Sequence, residues 1–388
     1  AYRFIDNDGP MLFFHTDLDA PRGRVVAVDT RQPEREQWTE LLPEAKGRDV
    51  ISFVTAAGEY LVVVTMRDAQ HRVALHSRDG AFVREIALPT IGSVEAVSGE
   101  PGDTELFLQF TSFLYPSTPF RLDLSDADSA LEPLHESGIA FDPSSYATTQ
   151  VFYASKDGTR VPMFLVHERD ITLDGHNPTL LYGYGGFNIA QVPAFQPRWL
   201  TWVDMGGVLA VASIRGGGEY GQAWHDAGRR ADKQNVFDDF IAAAEYLIAQ
   251  GVTTNRQLAI HGRSNGGLLV GAVVNQRPDL FAAALPQVGV MDMLRFDRFT
   301  AGRYWVDDYG YPDKADDFRK LLAYSPYHNI RSGTAYPAIL VSTADTDDRV
   351  VPGHSFKYVA ALQAADLGAK PRLIRIETRA GHGAGKPT

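Results

Sequence analysis

At 388 residues the chain exceeds one ordinary core of roughly 100–200 residues, so two domains are expected. Its 44% hydrophobic and 11% aromatic content belong to a folded chain rather than a disordered one. A net charge of −11 repels nucleic-acid phosphates and anionic membranes, and no apolar run reaches the ~18 residues that span a bilayer, so neither nucleic acid nor membrane is an expected partner.

The absence of cysteine removes disulfide frameworks, thiol nucleophiles and thiolate metal sites. Ala1 to Pro10 are polar and aromatic, with no basic stretch leading into an apolar one. A cytoplasmic location is expected, with the periplasm as the alternative.

Up to about Glu136, short apolar or alternating runs predict strands at Met11–Phe14, Val25–Val28, Tyr60–Thr65, Arg72–His76, Phe82–Ile86, Glu105–Phe110 and Pro119–Leu124. Asp79-Gly80 and Pro101-Gly102 supply turns between them. The strand groups recur at roughly 40–50 residues, the length of a four-stranded propeller blade, and a generic β-sandwich fits the periodicity equally well. From Ser144 the pattern changes. Strands at Thr179–Tyr182, Val208–Ser213, Gln257–His261 and Ala338–Ser342 alternate with helical stretches at Val236–Ala249, Gly267–Gln276 and Gly353–Ala365, which predicts an α/β domain with a mostly parallel sheet.

Gly262-Arg263-Ser264-Asn265-Gly266 lies between an apolar strand and an apolar helix. A serine on such a turn is forced outward, and the glycines are required because side chains there would strike the neighbouring strand and helix. A hydroxyl needs a base to take its proton, and the base needs a carboxylate to fix its tautomer. The strand Ala338–Ser342 leads into Asp345, Asp347 and Asp348, of which Asp347 is the choice. The strand Arg372–Glu377 leads into Ala380-Gly381-His382-Gly383-Ala384-Gly385, a histidine in a loop able to bend toward the serine. The order serine, aspartate, histidine is that of α/β-hydrolases. His261, inside the strand before Ser264, is read as a buried, hydrogen-bonded histidine.

Four ordered segments, Tyr182-Gly183-Tyr184-Gly185-Gly186-Phe187, Gly262 to Gly267, Asp345-Thr346-Asp347-Asp348-Arg349-Val350-Val351-Pro352 and Ala380 to Lys386, resemble the successive motifs of the prolyl oligopeptidase family. The resemblance runs from about Ser144 to Thr388. It implies an α/β-hydrolase peptidase domain over 141–388 preceded by part of a β-propeller over 1–140. It implies Ser264 as nucleophile, Asp347 as orienting acid and His382 as base, with Asn265 (backbone N–H) and Tyr184 (hydroxyl) as oxyanion donors. It further implies a proline pocket in which Trp305 stacks on the ring, Phe187, Val290, Tyr309 and Val350 line the walls, and Arg349 binds a substrate carbonyl. An aromatic face with apolar walls suits a pyrrolidine ring, which is flat, apolar and lacks an N–H. The expected activity is that of a serine endopeptidase cutting short peptides after proline, acting as a monomer with no cofactor.

The same residues bear on other readings. An oligopeptidase cutting after basic residues needs an acidic pocket, an aminopeptidase of the same fold differs only in specificity, and a carboxylesterase commonly carries His-Gly-Gly-Gly where this chain has Tyr184-Gly185-Gly186. Gly216-Gly217-Gly218-Glu219-Tyr220-Gly221 satisfies a dinucleotide-binding pattern and offers a dinucleotide-binding oxidoreductase as a remote alternative, but Gln222 to Asp226 begin no clean amphipathic helix, and Asp238 and Asp239 fall inside a helical stretch. A binding module with a dead hydrolase would lack a catalytic residue. Zinc-hydrolase histidine spacings are absent, so no metal is expected. Asp307-Asp308 and Asp123 to Asp128 read as solvated acids. Residues 1–136 hold about three blades of ~45 residues, where propellers have 4–8 and the family seven, so the chain is expected to be a portion of a longer protein lacking an N-terminal hydrolase segment and a C-terminal helix.

Overall fold

The computed structural model describes residues 1–45, 47–135, 137–139 and 141–383; Ala140 at the expected domain boundary and Ala384 to Lys386 of the last motif lie outside them. The chain divides into one unit of Ala1–Thr148, Val192–Thr201 and Glu219–Ala223, and a second of Thr149–Gln191, Trp202–Gly218 and Trp224–Thr388.

The first unit contains three four-stranded sheets among its described residues, each built from consecutive strands. They are β1 (Tyr2–Asp8), β2 (Met11–Thr16), β3 (Arg24–Asp29) and β4 (Thr39–Leu42); β5 (Val50–Ala57), β6 (Tyr60–Arg67), β7 (Gln70–Ser77) and β8 (Phe82–Ile86); and β9 (Ser93–Ser98), β10 (Glu105–Ser112), β11 (Tyr115–Asp123) and β12 (Glu132–Pro133). Val25 and Leu42 of the first sheet pack with Ile51 and Val63 of the second. Val64, Val73 and Leu75 of the second pack with Leu106, Phe110, Phe120 and Leu122 of the third. Meandering sheets stacked face to face are propeller blades rather than the two layers of a sandwich, which decides the choice that periodicity left open. The β7–β8 and β9–β10 turns carry Gly80 and Gly102 at φ +91° and +84°, as the two turn dipeptides require.

The second sheet system has eight strands: β13 (Tyr146–Ala154), β14 (Arg160–Glu168), β15 (Thr179–Tyr182), β16 (Val208–Ala212), β17 (Leu258–Arg263), β18 (Ala283–Gln287), β19 (Ala338–Ala344) and β20 (Arg372–Glu377), in the order β13-β14-β16-β15-β17-β18-β19-β20. Pairing is antiparallel between β14 and β16 and parallel from β16 through β20. The helices are α1 (Pro197–Asp204), α2 (Gln222–Asp226), α3 (Gln234–Ala249), α4 (Asn265–Gln276), α5 (Val306–Tyr309), α6 (Ala315–Tyr324) and α7 (Gly353–Ala364). Strand β16 is buried throughout, as suits a strand inside a parallel sheet covered on both faces. An α/β-hydrolase sheet preceded by part of a propeller is therefore the fold. No helix among the described residues is long and apolar enough to cross a membrane.

Candidate active site

Parallel pairing aligns the carboxyl ends of β15, β17, β18, β19 and β20 along one rim of the sheet, where open α/β sheets place their chemistry. Tyr184 follows β15 by two residues, Ser264 follows β17 directly, Asp347 follows β19 by three and His382 follows β20 by five.

Ser264 has φ +60° and ψ −116°, a conformation that non-glycine residues adopt only when their surroundings impose it. Its N–H donates to Gln287 O at 2.9 Å, and its carbonyl accepts the N–H groups of Gly267 and Leu268 as α4 begins. The glycines are sterically required: a Cβ on Gly262 would stand 2.1 Å from Gly266 O, and one on Gly266 2.7 Å from Gly183 O. Strand, serine and helix thus meet as the sequence pattern demands.

His382 Nδ1 lies 2.7 Å from Asp347 Oδ2. The other oxygen of Asp347 accepts the backbone N–H groups of Arg349 at 3.0 Å and Val350 at 2.9 Å. Burial raises the Asp347 pKa, but the His382 hydrogen bond, the Val350 N–H, the His382 charge and the Arg349 N–H together overcome it and hold the carboxyl below its usual range. Arg263, the residue before Ser264, donates to His382 O and ties the histidine loop to the serine turn. Among the described residues no hydrogen bond joins His382 to Ser264 Oγ. The structure joins Asp347 to His382, and brings the His382 loop to the Ser264 turn.

Asn265 Nδ2 donates to Tyr184 O at 2.6 Å, while its Oδ1 accepts from Tyr309 Oη at 2.9 Å and Lys233 Nζ at 3.2 Å. Lys233 Nζ also donates to Gly185 O at 2.8 Å. The Tyr184 hydroxyl has no partner among the described residues, and burial, reinforced by Tyr182 and Asp308, pushes its pKa up to about 12. A phenol kept protonated and uncommitted can donate to a developing anion. The structure thereby brings Tyr184 and Asn265 together beside Ser264.

Trp305, Tyr309 and Phe187 form one aromatic group: the Tyr309 ring meets Phe187 at 5.4 Å and Trp305 at 6.5 Å, both edge to face. Val290 and Val350 are buried near the ends of β18 and β19, and Arg349 is exposed with no ion pair among the described residues. Asp308 departs from expectation. It is buried, its Oδ2 accepting the Phe187 N–H at 3.0 Å and lying 2.9 Å from His225 Nε2, whereas Asp307 is exposed and pairs with Arg230. The reason is helical geometry: in α5 Asp308 lies three residues after Trp305 and shares its side. Lys233, Arg263 and His225 carried no signal in the sequence beyond their residue type.

The glycine-rich Gly216 to Gly221 run has a packing role. A Cβ on Gly216 would stand 2.7 Å from Gly185 O and one on Gly218 2.7 Å from Asn188 O, so the run lets backbone approach the Tyr184 loop. The short helix α2 does form after it, but Asp239 is buried against Arg215 rather than open to a ribose. His261 is part-buried, 5.4 Å from the Tyr182 ring. A second serine–histidine–aspartate grouping, Ser325, His328 and Asp292, is no rival: Ser325 is fully buried and its oxygen accepts the Met293 N–H.

Residues 193–388 match the model of the prolyl oligopeptidase family, and residues 1–133 that of the prolyl oligopeptidase N-terminal beta-propeller domain. The chain is 46% identical to a prolyl endopeptidase of Elizabethkingia miricola over 99% of its own length and 54% of the relative's. It is 42% identical to a prolyl endopeptidase of Dictyostelium discoideum, over 96% and 51% respectively. The solved prolyl oligopeptidase B of Galerina marginata, bound to a hydrolysis and macrocyclization substrate, superposes with a TM-score of 0.94 at 37% identity, covering 100% of this chain and 54% of that one. The chain spans about half the length of the relatives it matches.

Proposed function

This chain belongs to the prolyl oligopeptidase family, and from that premise we propose that it carries the active site of a serine endopeptidase cleaving short peptides on the carboxyl side of proline. The observation that carries the reading is the Asp347–His382 contact tied through Arg263 to the strained Ser264 turn. Ser264 Oγ adds to the carbonyl carbon of proline as His382 takes its proton. The new C–O⁻ accepts hydrogen bonds from the Asn265 N–H and the Tyr184 hydroxyl. As the C–N bond breaks, His382 returns that proton to the leaving amine, leaving an ester on Ser264. Water then adds with His382 again as base, and the proton goes back to Ser264 as the acid departs.

The proline ring would lie against Trp305, Phe187 and Tyr309, with Val290 and Val350 behind and Arg349 reaching a substrate carbonyl. Asp308, which lies beside these rings, is already engaged by Phe187 and His225, which argues against a pocket for basic residues. The reading includes a propeller portion over 1–140, a peptidase domain over 141–388, a monomeric state and a cytoplasmic location. A fluorophosphonate should label Ser264 stoichiometrically, and initial rates on blocked peptides varied only before the scissile bond should favour proline; labelling that survives Ser264→Ala would overturn the assignment.

A further inference from the structure

Lys233 sits where a lysine is doubly disfavoured. Its side chain is buried, with 1% of the residue exposed, and no carboxylate lies within ion-pair distance of it among the described residues. It also occupies the N-cap of α3, where a cation opposes the helix dipole and where a short polar side chain would ordinarily cap the free N–H groups; Lys233 makes no such cap. Burial draws its pKa down to about 8, with Asp308 pulling the other way. A position this costly calls for a compensating role.

Its contacts supply one. Nζ donates to Gly185 O in the loop that carries Tyr184, and to Asn265 Oδ1 on the first residue after the nucleophile. Asn265 in turn donates to Tyr184 O, closing a ring of hydrogen bonds between the two segments that carry the oxyanion donors. Tyr309 donates to the same Asn265 oxygen, so the wall of the aromatic pocket joins the ring. A carbonyl oxygen has two lone pairs, and Asn265 Oδ1 fills both with Lys233 and Tyr309. Packing fixes the ring further: a Cβ on Gly186 would stand 2.6 Å from Asn265 Nδ2.

We propose that Lys233 is a positioning residue of the oxyanion site, locking the Tyr184 loop to the start of α4 so that the Tyr184 hydroxyl and Asn265 N–H converge on one point. It touches neither substrate nor reacting atoms. The inference rests on the peptidase reading above and adds a residue to it. Donors held in advance cost no reorganisation as charge develops, so a loosened pair loses turnover while ground-state binding persists.

The test is steady-state kinetics of Lys233→Met in the full chain on a blocked Gly-Pro anilide, with a melting curve and inhibition by a proline boronate, whose tetrahedral adduct mimics the intermediate. Expected are a fall in kcat of about 10–100-fold, KM within about threefold, and boronate affinity reduced in proportion to kcat. Unchanged kcat and boronate affinity in a folded variant overturn the proposal, as does a kcat loss matched by an equal rise in KM. Should Lys233→Met not fold, Lys233→Gln, which keeps an N–H for one acceptor, carries the same test; failure of both to fold makes Lys233 a folding residue and also overturns it. No turnover by the unsubstituted chain would count against the peptidase reading instead, which separates the two failures.

Discussion

Asp347 holds His382 with one carboxylate oxygen and two backbone N–H groups of its own loop with the other. Asp347 is itself fixed, so it can fix the imidazole's tautomer and orientation. Asp347→Asn would keep the shape and could keep both backbone bonds, yet present an N–H where His382 Nδ1–H needs an acceptor. Turnover should fall by about 10³–10⁴-fold with the melting temperature little changed. Rates measured beside a melting curve check this, and near-normal turnover would remove Asp347 from the mechanism.

Tyr184→Phe removes a hydroxyl that is protonated at neutral pH and has no other partner among the described residues. The loss should fall on kcat, by about 10–10³-fold, with KM little affected. A kcat decrease that merely follows a lowered melting temperature would mark Tyr184 as structural.

Trp305→Ala opens one side of the aromatic group around Tyr309. Selectivity for proline over alanine before the scissile bond should weaken by roughly 1–3 kcal/mol in kcat/KM, from lost ring contact. Paired proline and alanine substrates measure it, and undiminished selectivity would place the reading of the ring elsewhere.

His71 predicts an acid-sensitive joint between blades. Its Nδ1 accepts the Val94 N–H at 2.9 Å, linking β7 to β9, and burial lowers its pKa to about 4. Between about pH 6.5 and 4 the unfolded chain binds the proton that the folded one refuses, so stability falls as pH falls through that window, by roughly 2–3 kcal/mol from this residue. His71→Asn keeps an acceptor but does not titrate. Urea unfolding at pH 7 and pH 4.5 should show a smaller acid loss in the variant, and equal losses would assign the effect to other groups such as His354, also lowered to about 4.

Much of this was legible in the sequence because the residues that fix local structure are those to which the proposed chemistry is assigned. Gly262 and Gly266 announce a sharp turn by what they cannot accommodate, and a serine on that turn has one way to point. What was hidden depended on partners distant in the chain. Asp308 reads as a solvated acid until α5 turns it onto Phe187, 121 residues earlier, and Lys233 resembles any surface lysine before a helix. Strands β1 and β4 escaped because they are largely exposed, and β18 because Pro286 interrupts its apolar run while its parallel partners supply the missing signal. Partnership across the sheet does not show in local periodicity.

The interlocked glycines around Ser264 also decide where this protein can be re-engineered. A Cβ at Gly262, Gly266 or Gly186 would meet backbone or a committed side chain at 2.1, 2.7 and 2.6 Å, so a combinatorial library built there would return mostly dead clones whatever its size. Arg349 is solvent-exposed, and Trp305 meets Tyr309 only edge to face. On the proposed reading, diversity aimed at those two positions should sample new substrate preferences while leaving the Ser264 turn untouched, which gives a directed-evolution campaign a fixed engine and an adjustable intake.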